Sequence, residues 1–119
     1  MKVLPRFQRL HQEKDIRKVL RFGQKRRDEN LQLIFSPNPK PNSRACVIIS
    51  KKIAKKAHER NKIRRQIQAL LPKYLKSQPR PLDIIIRVNS QAEFKQKNFD
   101  NSLNRLWLNY GNFRSTRRH

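Results

Sequence analysis

The 119-residue chain reads as an α/β protein with the element order αββαβα and a partly parallel sheet. Three observations lead there. "EKDIRKVLRF" and "NKIRRQIQALLPKY" repeat apolar residues at helical spacing, whereas "LQLIF", "ACVII" and "DIIIRV" are short runs rich in β-branched residues, alternating or apolar throughout. The basic helical stretch lies between the second and third of those runs, and a strand, a helix and another buried strand form a crossover unit. With 35% apolar residues the chain can bury a modest core, so residues 1–119 are read as one domain.

The elements follow in order. Residues 1–8 are expected as an extended arm, with Phe7 and Leu10 beside the first helix. Ile16, Val19 and Leu20 recur at i, i+3 and i+4, and Gly23 follows as a candidate C′ residue, so a helix is predicted over about residues 12–22. "NLQLIFS" at 30–36 sets Leu31, Leu33 and Phe35 against Gln32, Ile34 and Ser36, a strand with one better-buried face. "PNPKPNSR" at 37–44 carries three prolines and must be a loop. "ACVIIS" at 45–50 is apolar on both faces, as a central strand would be, so the loop is expected to join two antiparallel neighbours. Ile63, Ile67, Leu70, Leu71 and Tyr74 form one stripe of a helix from about residue 56 to 71 or a little beyond, and "SQPRP" at 77–81 breaks it. "LDIIIRV" at 82–88 is a third strand, apolar on both faces. Phe99, Leu103, Leu106, Trp107 and Tyr110 predict a last helix that Gly111 would end, and residues 112–119 are expected as a basic, disordered tail.

Composition narrows the function. Thirty Lys and Arg against eight Asp and Glu give a formal net charge of +22, a self-repulsion that a polyanion would relieve, and nucleic acid is the leading partner class. No apolar run approaches the roughly 18 residues of a spanning helix, and the N-terminus lacks the apolar core of a secretory signal. Cys46 stands alone in a strand-like run and reads as a small apolar residue in a reducing compartment. A cytoplasmic protein is expected.

Catalytic patterns are missing. The eight acids are scattered, which does not suit a metal-dependent nuclease. His58-Glu59 begins like a zinc-protease helix, but Lys62 occupies the position of the second ligand. His11, His58 and His119 lie far apart, and there is no Gly-rich phosphate loop. The polypeptide is expected to hold neither a catalytic residue nor a metal.

The basic stretch "KKIAKKAHERNKIRRQIQ" at 51–68 has a direction. At about 100° per residue, Arg64, Gln68, Asn61, Arg65 and His58 fall opposite the apolar sector, with Lys62 further round. Such an arc can track a phosphate backbone, Arg forks taking phosphate oxygens and Asn or Gln bonding sugar or base edges. Lys51, Lys52, Lys55 and Lys56 precede it and add phosphate affinity that salt would weaken. Arg60 falls at the border of the apolar sector, where a snorkelling stem and an anchoring role are both open.

"SKKIAKKAHERNKIRRQIQALL" at 50–71 resembles the signature of the bacterial ribonuclease P protein subunit, and the flanking segments match in order from about residue 5 to 110. The resemblance implies a two-layer α+β sandwich similar to a ribosomal-protein domain, with a mixed sheet. It also implies an unusual left-handed crossover around the basic helix, against the usual rule. It further implies an accessory subunit of a ribozyme whose RNA removes the 5′ leader of precursor tRNA, with Mg²⁺ entering only through that RNA. The family's Arg-Asn-Arg segment contacts the catalytic RNA, which places that role on Arg60, Asn61 and Lys62, with Arg64 and Arg65 continuing it and Lys51 and Lys52 on the same surface. The family holds the leader in a cleft between the first helix and the sheet, commonly lined by aromatics. The matching positions here are Ile16, Leu20 and Ile34, with Phe22 near but shifted, so apolar contact must replace stacking. Lys62 stands where the family has arginine and Gln68 where another basic residue is usual, so RNA contact is expected to survive while leader affinity is weaker or differently distributed. The competing reading is a small ribosomal or other structural RNA-binding protein.

Overall fold

A computed structural model describes residues 4–76, 80–89 and 98–107. Helix α1 spans Glu13–Phe22, strand β1 Gln24–Arg27, β2 Leu31–Pro37, β3 Arg44–Ile48, helix α2 Ala57–Lys76 and β4 Leu82–Val88. A third helix, α3, covers residues 98–107. The expected positions of Tyr110, Gly111 and the 112–119 tail lie outside the described residues.

The four strands lie in the order β1-β2-β4-β3, with β2 antiparallel to β1 and β4, and β3 parallel to β4. The α/β class, the mixed sheet and the β3–α2–β4 crossover agree with the sequence. Two details differ. The sheet gains β1, whose "QKRR" has no apolar pattern and which forms through pairing with β2, Gln24 opposite Phe35 and Arg27 opposite Gln32. And β2 and β3 are not neighbours, because β4 lies between them. β2 and β4 are buried along nearly their whole length, while β3 alternates buried with half-exposed residues, a pattern suited to the edge.

The main core fills one face of the sheet. Leu33, Phe35, Ile84, Ile86 and Val47 meet Ile63, Ile67 and Leu71 of α2 and Phe99, Leu103 and Trp107 of α3. Trp107 stacks on Tyr74 at 5.0 Å and meets Phe35 edge-on at 5.6 Å. The Tyr74 hydroxyl donates to Asp100 Oδ1 at 2.7 Å, which ties α3 to α2. α2 runs through Pro72, which cannot donate to the Gln68 carbonyl. The helix continues because Tyr74 and Leu75 are buried one turn later.

A smaller cluster on the opposite face seats α1: Val19 and Leu10 cover Ile34 and Ile85, with Ile16, Leu20, Cys46 and Ile48 at its margin. Acids in the first turn, Glu13 and Asp15, suit the positive end of the helix. Gly23 does cap α1, but with φ −72°, so no left-handed backbone calls for glycine. Close approach does: a Cβ there would lie 2.6 Å from Ile34 Cγ2 and from the Val19 carbonyl oxygen, and 2.8 Å from the Phe35 carbonyl oxygen.

Of the extended arm expected over residues 1–8, the described part is not extended throughout. Arg6–Gln8 form a 3₁₀ turn, Leu4 is buried, and Arg9 Nε donates to the Leu4 carbonyl at 2.7 Å. Arg9 then bridges to Ala45 and the Leu10 amide donates to the Ala45 carbonyl, so the segment seals part of the β3 edge. Phe7 stays exposed, unlike Leu10.

Candidate nucleic-acid interface

β3 ends at Ile48, and the chain turns through Ser50, whose carbonyl accepts from the Ile53 and Ala54 amides. Lys51, Lys52, Lys55 and Lys56 are exposed on this loop. α2 then presents the arc that its periodicity predicts, with Ile63, Ile67 and Leu71 buried, Asn61, Lys62 and Arg65 exposed, and Arg64 and Gln68 half-buried. Among the described residues no ion pair joins any of Lys51, Lys52, Lys55, Lys56, Lys62 or Arg65 to an acid.

Glu59 lies in the first turn of α2, whereas Asp15, Asp28, Asp83 and Asp100 lie elsewhere. Asp83 is bound by the Arg44 fork at 2.9 and 2.7 Å and by Asn38 Nδ2 at 2.9 Å, with Asp15 3.5 Å from Arg44. The Arg44 pKa is raised, first by its hydrogen bond to Asp83 and against the cost of burial. Asp28 accepts from the Asn30 and Leu31 amides and pairs with Arg105. The Tyr74 hydrogen bond holds Asp100 below the usual carboxylate range, and burial with that same bond pushes Tyr74 up. These carboxylates tie elements of the fold together, so the loop and α2 carry cations that internal pairs leave unneutralised.

Two side chains on the arc orient each other. Arg64 Nη1 donates to Asn61 Oδ1 at 2.7 Å. That bond engages the Asn61 oxygen, and the residue is exposed, so its amide N–H groups are the donors it can offer an incoming acceptor. Burial raises the Cys46 pKa, and the Arg64 charge opposes that rise.

Arg60, expected from the resemblance to contact RNA, is also engaged within the fold. Its Nη1 donates to the Ala54 carbonyl at 2.9 Å and to the Lys55 carbonyl at 2.8 Å, and the residue is half-buried. The guanidinium clips the lysine loop to the first turn of α2. Helical projection placed Arg60 at the border of the apolar sector, but only the folded loop reveals the carbonyls it meets.

The expected apolar cleft is also redrawn. Ile16 and Leu20 are half-buried at the margin of α1, but Ile34 is fully buried beneath that helix and offers no surface. The open ground lies further along the sheet, where Gln32, Ile48, Ser50, Lys52, Arg87 and Asn89 line a groove of about 350 Å³. The sequence reading did not single out Ile48 or Arg87. The signal for Arg87 was present, a lone charge interrupting the apolar "DIIIRV" run.

Among the described residues no three His, Cys, Asp or Glu side chains gather where they would hold a metal ion, and no helix is long and apolar enough to cross a membrane.

Comparison with known proteins follows the same lines. The family model for Ribonuclease P matches residues 4–111. A ribonuclease P protein component from Synechocystis sp. (strain ATCC 27184 / PCC 6803 / Kazusa) is 32% identical over 91 residues, which is 75% of this chain and 73% of the relative. One from Pseudanabaena sp. (strain PCC 6903) is 30% identical over 92 residues, 76% of this chain and 78% of the relative. The Staphylococcus aureus RNase P protein structure superposes with a TM-score of 0.71 at 25% identity, covering 83% of this chain and 91% of the other. The Thermotoga maritima RNase P protein shares the fold, with a TM-score of 0.67 at 23% identity over 83% of this chain and 94% of the other.

Proposed function

This chain belongs to the ribonuclease P protein family, and on that premise we propose that it binds the catalytic RNA of ribonuclease P through α2 and the preceding loop. In this reading it also holds the 5′ leader of precursor tRNA, while the RNA performs the endonucleolytic cut. The observation that carries the reading is the exposed arc of α2, where the Asn61–Arg64 pair lies among Lys62, Arg65 and the loop lysines, none of which joins an acid in an ion pair among the described residues. Guanidinium and ammonium groups neutralise phosphates, and the fixed amide of Asn61 seeks an acceptor on phosphate, ribose or base. Gln68 continues the same face.

The leader would run past Ile16 and Leu20 toward Ile48, with Arg87 and Lys52 near its phosphates. Contact there is apolar and electrostatic, since Ile16, Leu20 and Ile48 carry no ring to stack on a base. In this reading Mg²⁺ enters with the RNA, while Asp83, Asp28 and Asp100 serve the fold, engaged by Arg44, Arg105, Tyr74 and backbone amides. The polypeptide then positions RNA and performs no bond-breaking step. Such a subunit would work in the cytoplasm.

The test is reconstitution with a bacterial ribonuclease P RNA at low Mg²⁺ and physiological salt. Addition of the protein should stimulate precursor-tRNA cleavage, the protein alone should cleave nothing, and Asn61→Ala should weaken RNA affinity without unfolding the domain. Absence of stimulation over RNA alone would sink the proposal, and cleavage by the protein alone would return catalysis to the polypeptide.

A further inference from the structure

A second groove, of about 520 Å³, lies where the lysine loop meets α2, away from the Asn61–Arg64 pair. His58, Glu59, Lys62 and Gln66 line it and fall within one sector of about 100° on the helix, whereas Asn61, Arg64 and Gln68 occupy a sector on the far side. Its floor is apolar, formed by Ile53 and by the buried Ala54 and Ile63. Its rim carries Lys55, Lys56 and Lys62 against a single carboxylate, Glu59. The volume falls in the range of small-molecule sites, and an apolar floor under a cationic rim suits a ligand with one flat apolar part and one anionic part.

We propose that this groove seats a single nucleotide, its base on the Ile53–Ala54–Ile63 floor and its phosphate among the three lysines. The inference rests on the RNA-binding reading and adds a defined subsite to it. Floor and rim recognise different halves of the ligand. A nucleoside lacks the phosphate that the lysines attract, inorganic phosphate lacks the surface that the floor desolvates, and a nucleotide satisfies both. The same chemistry is offered by an unstacked residue of an RNA strand and by a free nucleotide.

An NMR titration of the full chain with adenosine 5′-monophosphate, adenosine, inorganic phosphate, a short single-stranded RNA and a poly-glutamate peptide tests it. Adenosine 5′-monophosphate should shift the amides of Ile53, Ala54, His58 and Ile63 first, and bind about tenfold tighter than inorganic phosphate. Glu59→Gln, which removes the one carboxylate of the rim, should tighten that binding about two- to threefold. Stronger binding of the RNA at the same residues identifies a strand as the source, and equal binding identifies a free nucleotide. The inference is overturned if phosphate or poly-glutamate binds there as well as the nucleotide, if the shifts are confined to Asn61 and Arg65, or if none occur. Its failure is separable from that of the RNA-binding reading: loss of catalytic-RNA affinity in Asn61→Ala, with no nucleotide bound in the groove, removes the subsite and leaves the interface standing. Unchanged affinity in Asn61→Ala removes the interface itself.

Discussion

Arg60→Ala separates two roles that the sequence leaves open. In the fold, the two N–H groups of Arg60 Nη1 reach the Ala54 and Lys55 carbonyls at 2.9 and 2.8 Å. Hydrogen bonds to a charged donor contribute roughly 1.5–3 kcal/mol each when buried. Solvent screening at a half-exposed group brings each below that range, to about 1 kcal/mol, so the clip is assigned about 2 kcal/mol in all, equivalent to a roughly 30-fold change in the opening of the loop. Amide exchange at Ile53 to Ala57 should therefore quicken by about that factor in Arg60→Ala, with the global unfolding midpoint moving less. Affinity for the catalytic RNA should fall several-fold, because a loosened loop must be reordered on binding. The salt dependence decides the matter. A phosphate contact contributes about 0.7–0.9 to the slope of log K against log salt, whereas a clip contributes nothing directly. The slope should stay as in the unaltered protein. A slope reduced by about one contact, with exchange of the loop unchanged, would refute the clip and return Arg60 to the RNA surface.

Other expectations follow from the same geometry. Asp83→Ala removes the partner of a guanidinium whose side chain is only 14% exposed and leaves Arg44 with Asp15 at 3.5 Å; a loss of about 3 kcal/mol is expected in urea unfolding, and a loss under about 1 kcal/mol would contradict the pairing. Gly23→Ala sets a methyl against two backbone carbonyls within 2.8 Å and should cost about 1–3 kcal/mol, seen as a lowered Tm, while an unchanged Tm would show that α1 yields freely. Asp100 has its pKa lowered mainly by the Tyr74 hydrogen bond, so its contribution to stability is complete above the ordinary carboxylate pKa and is lost as pH falls through the lowered value. Asp100→Asn should flatten the acid limb of stability against pH, and an unaltered limb would count against the clamp.

Most of the fold was legible because its helices and central strands bury a patterned face. Ile16, Val19 and Leu20 mark α1, and the stripe from Ile63 to Tyr74 marks α2, since each element must hide that face against the sheet. β1 was not legible, because "QKRR" is a strand only through its hydrogen bonds to β2, and its charges suit an exposed edge. Strand order was hidden for a related reason. "ACVIIS" and "DIIIRV" look equally apolar in sequence, but one face of β3 is only half covered, and nothing local records which of two apolar runs will lie inside.

The site divides along the same line between what a single helix fixes and what two segments fix together. Periodicity alone placed Asn61, Arg64, Arg65 and Gln68 on one arc, because the angle between side chains on one helix follows from their spacing. Ile34 and Arg60 failed that method for opposite reasons. Ile34 lies on the expected face of the sheet, but α1 closes over it, so the open groove lies toward Ile48 and Arg87. Arg60 has the residue type of a phosphate ligand, but the loop ahead of α2 folds back and supplies carbonyls within reach. The consequence bears on Lys62, which stands where the resemblance leads one to expect arginine. With Arg60 turned inward, the forked donors left on the outer arc are Arg64 and Arg65, and Arg64 already gives one N–H to Asn61. Under the proposed RNA contact, bidentate recognition would fall chiefly to Arg65, with Lys62 and the loop lysines as point charges. An interface built this way should draw more of its affinity from salt-sensitive neutralisation and less from fixed geometry, so Arg65→Lys should harm RNA binding more than Lys62→Arg improves it.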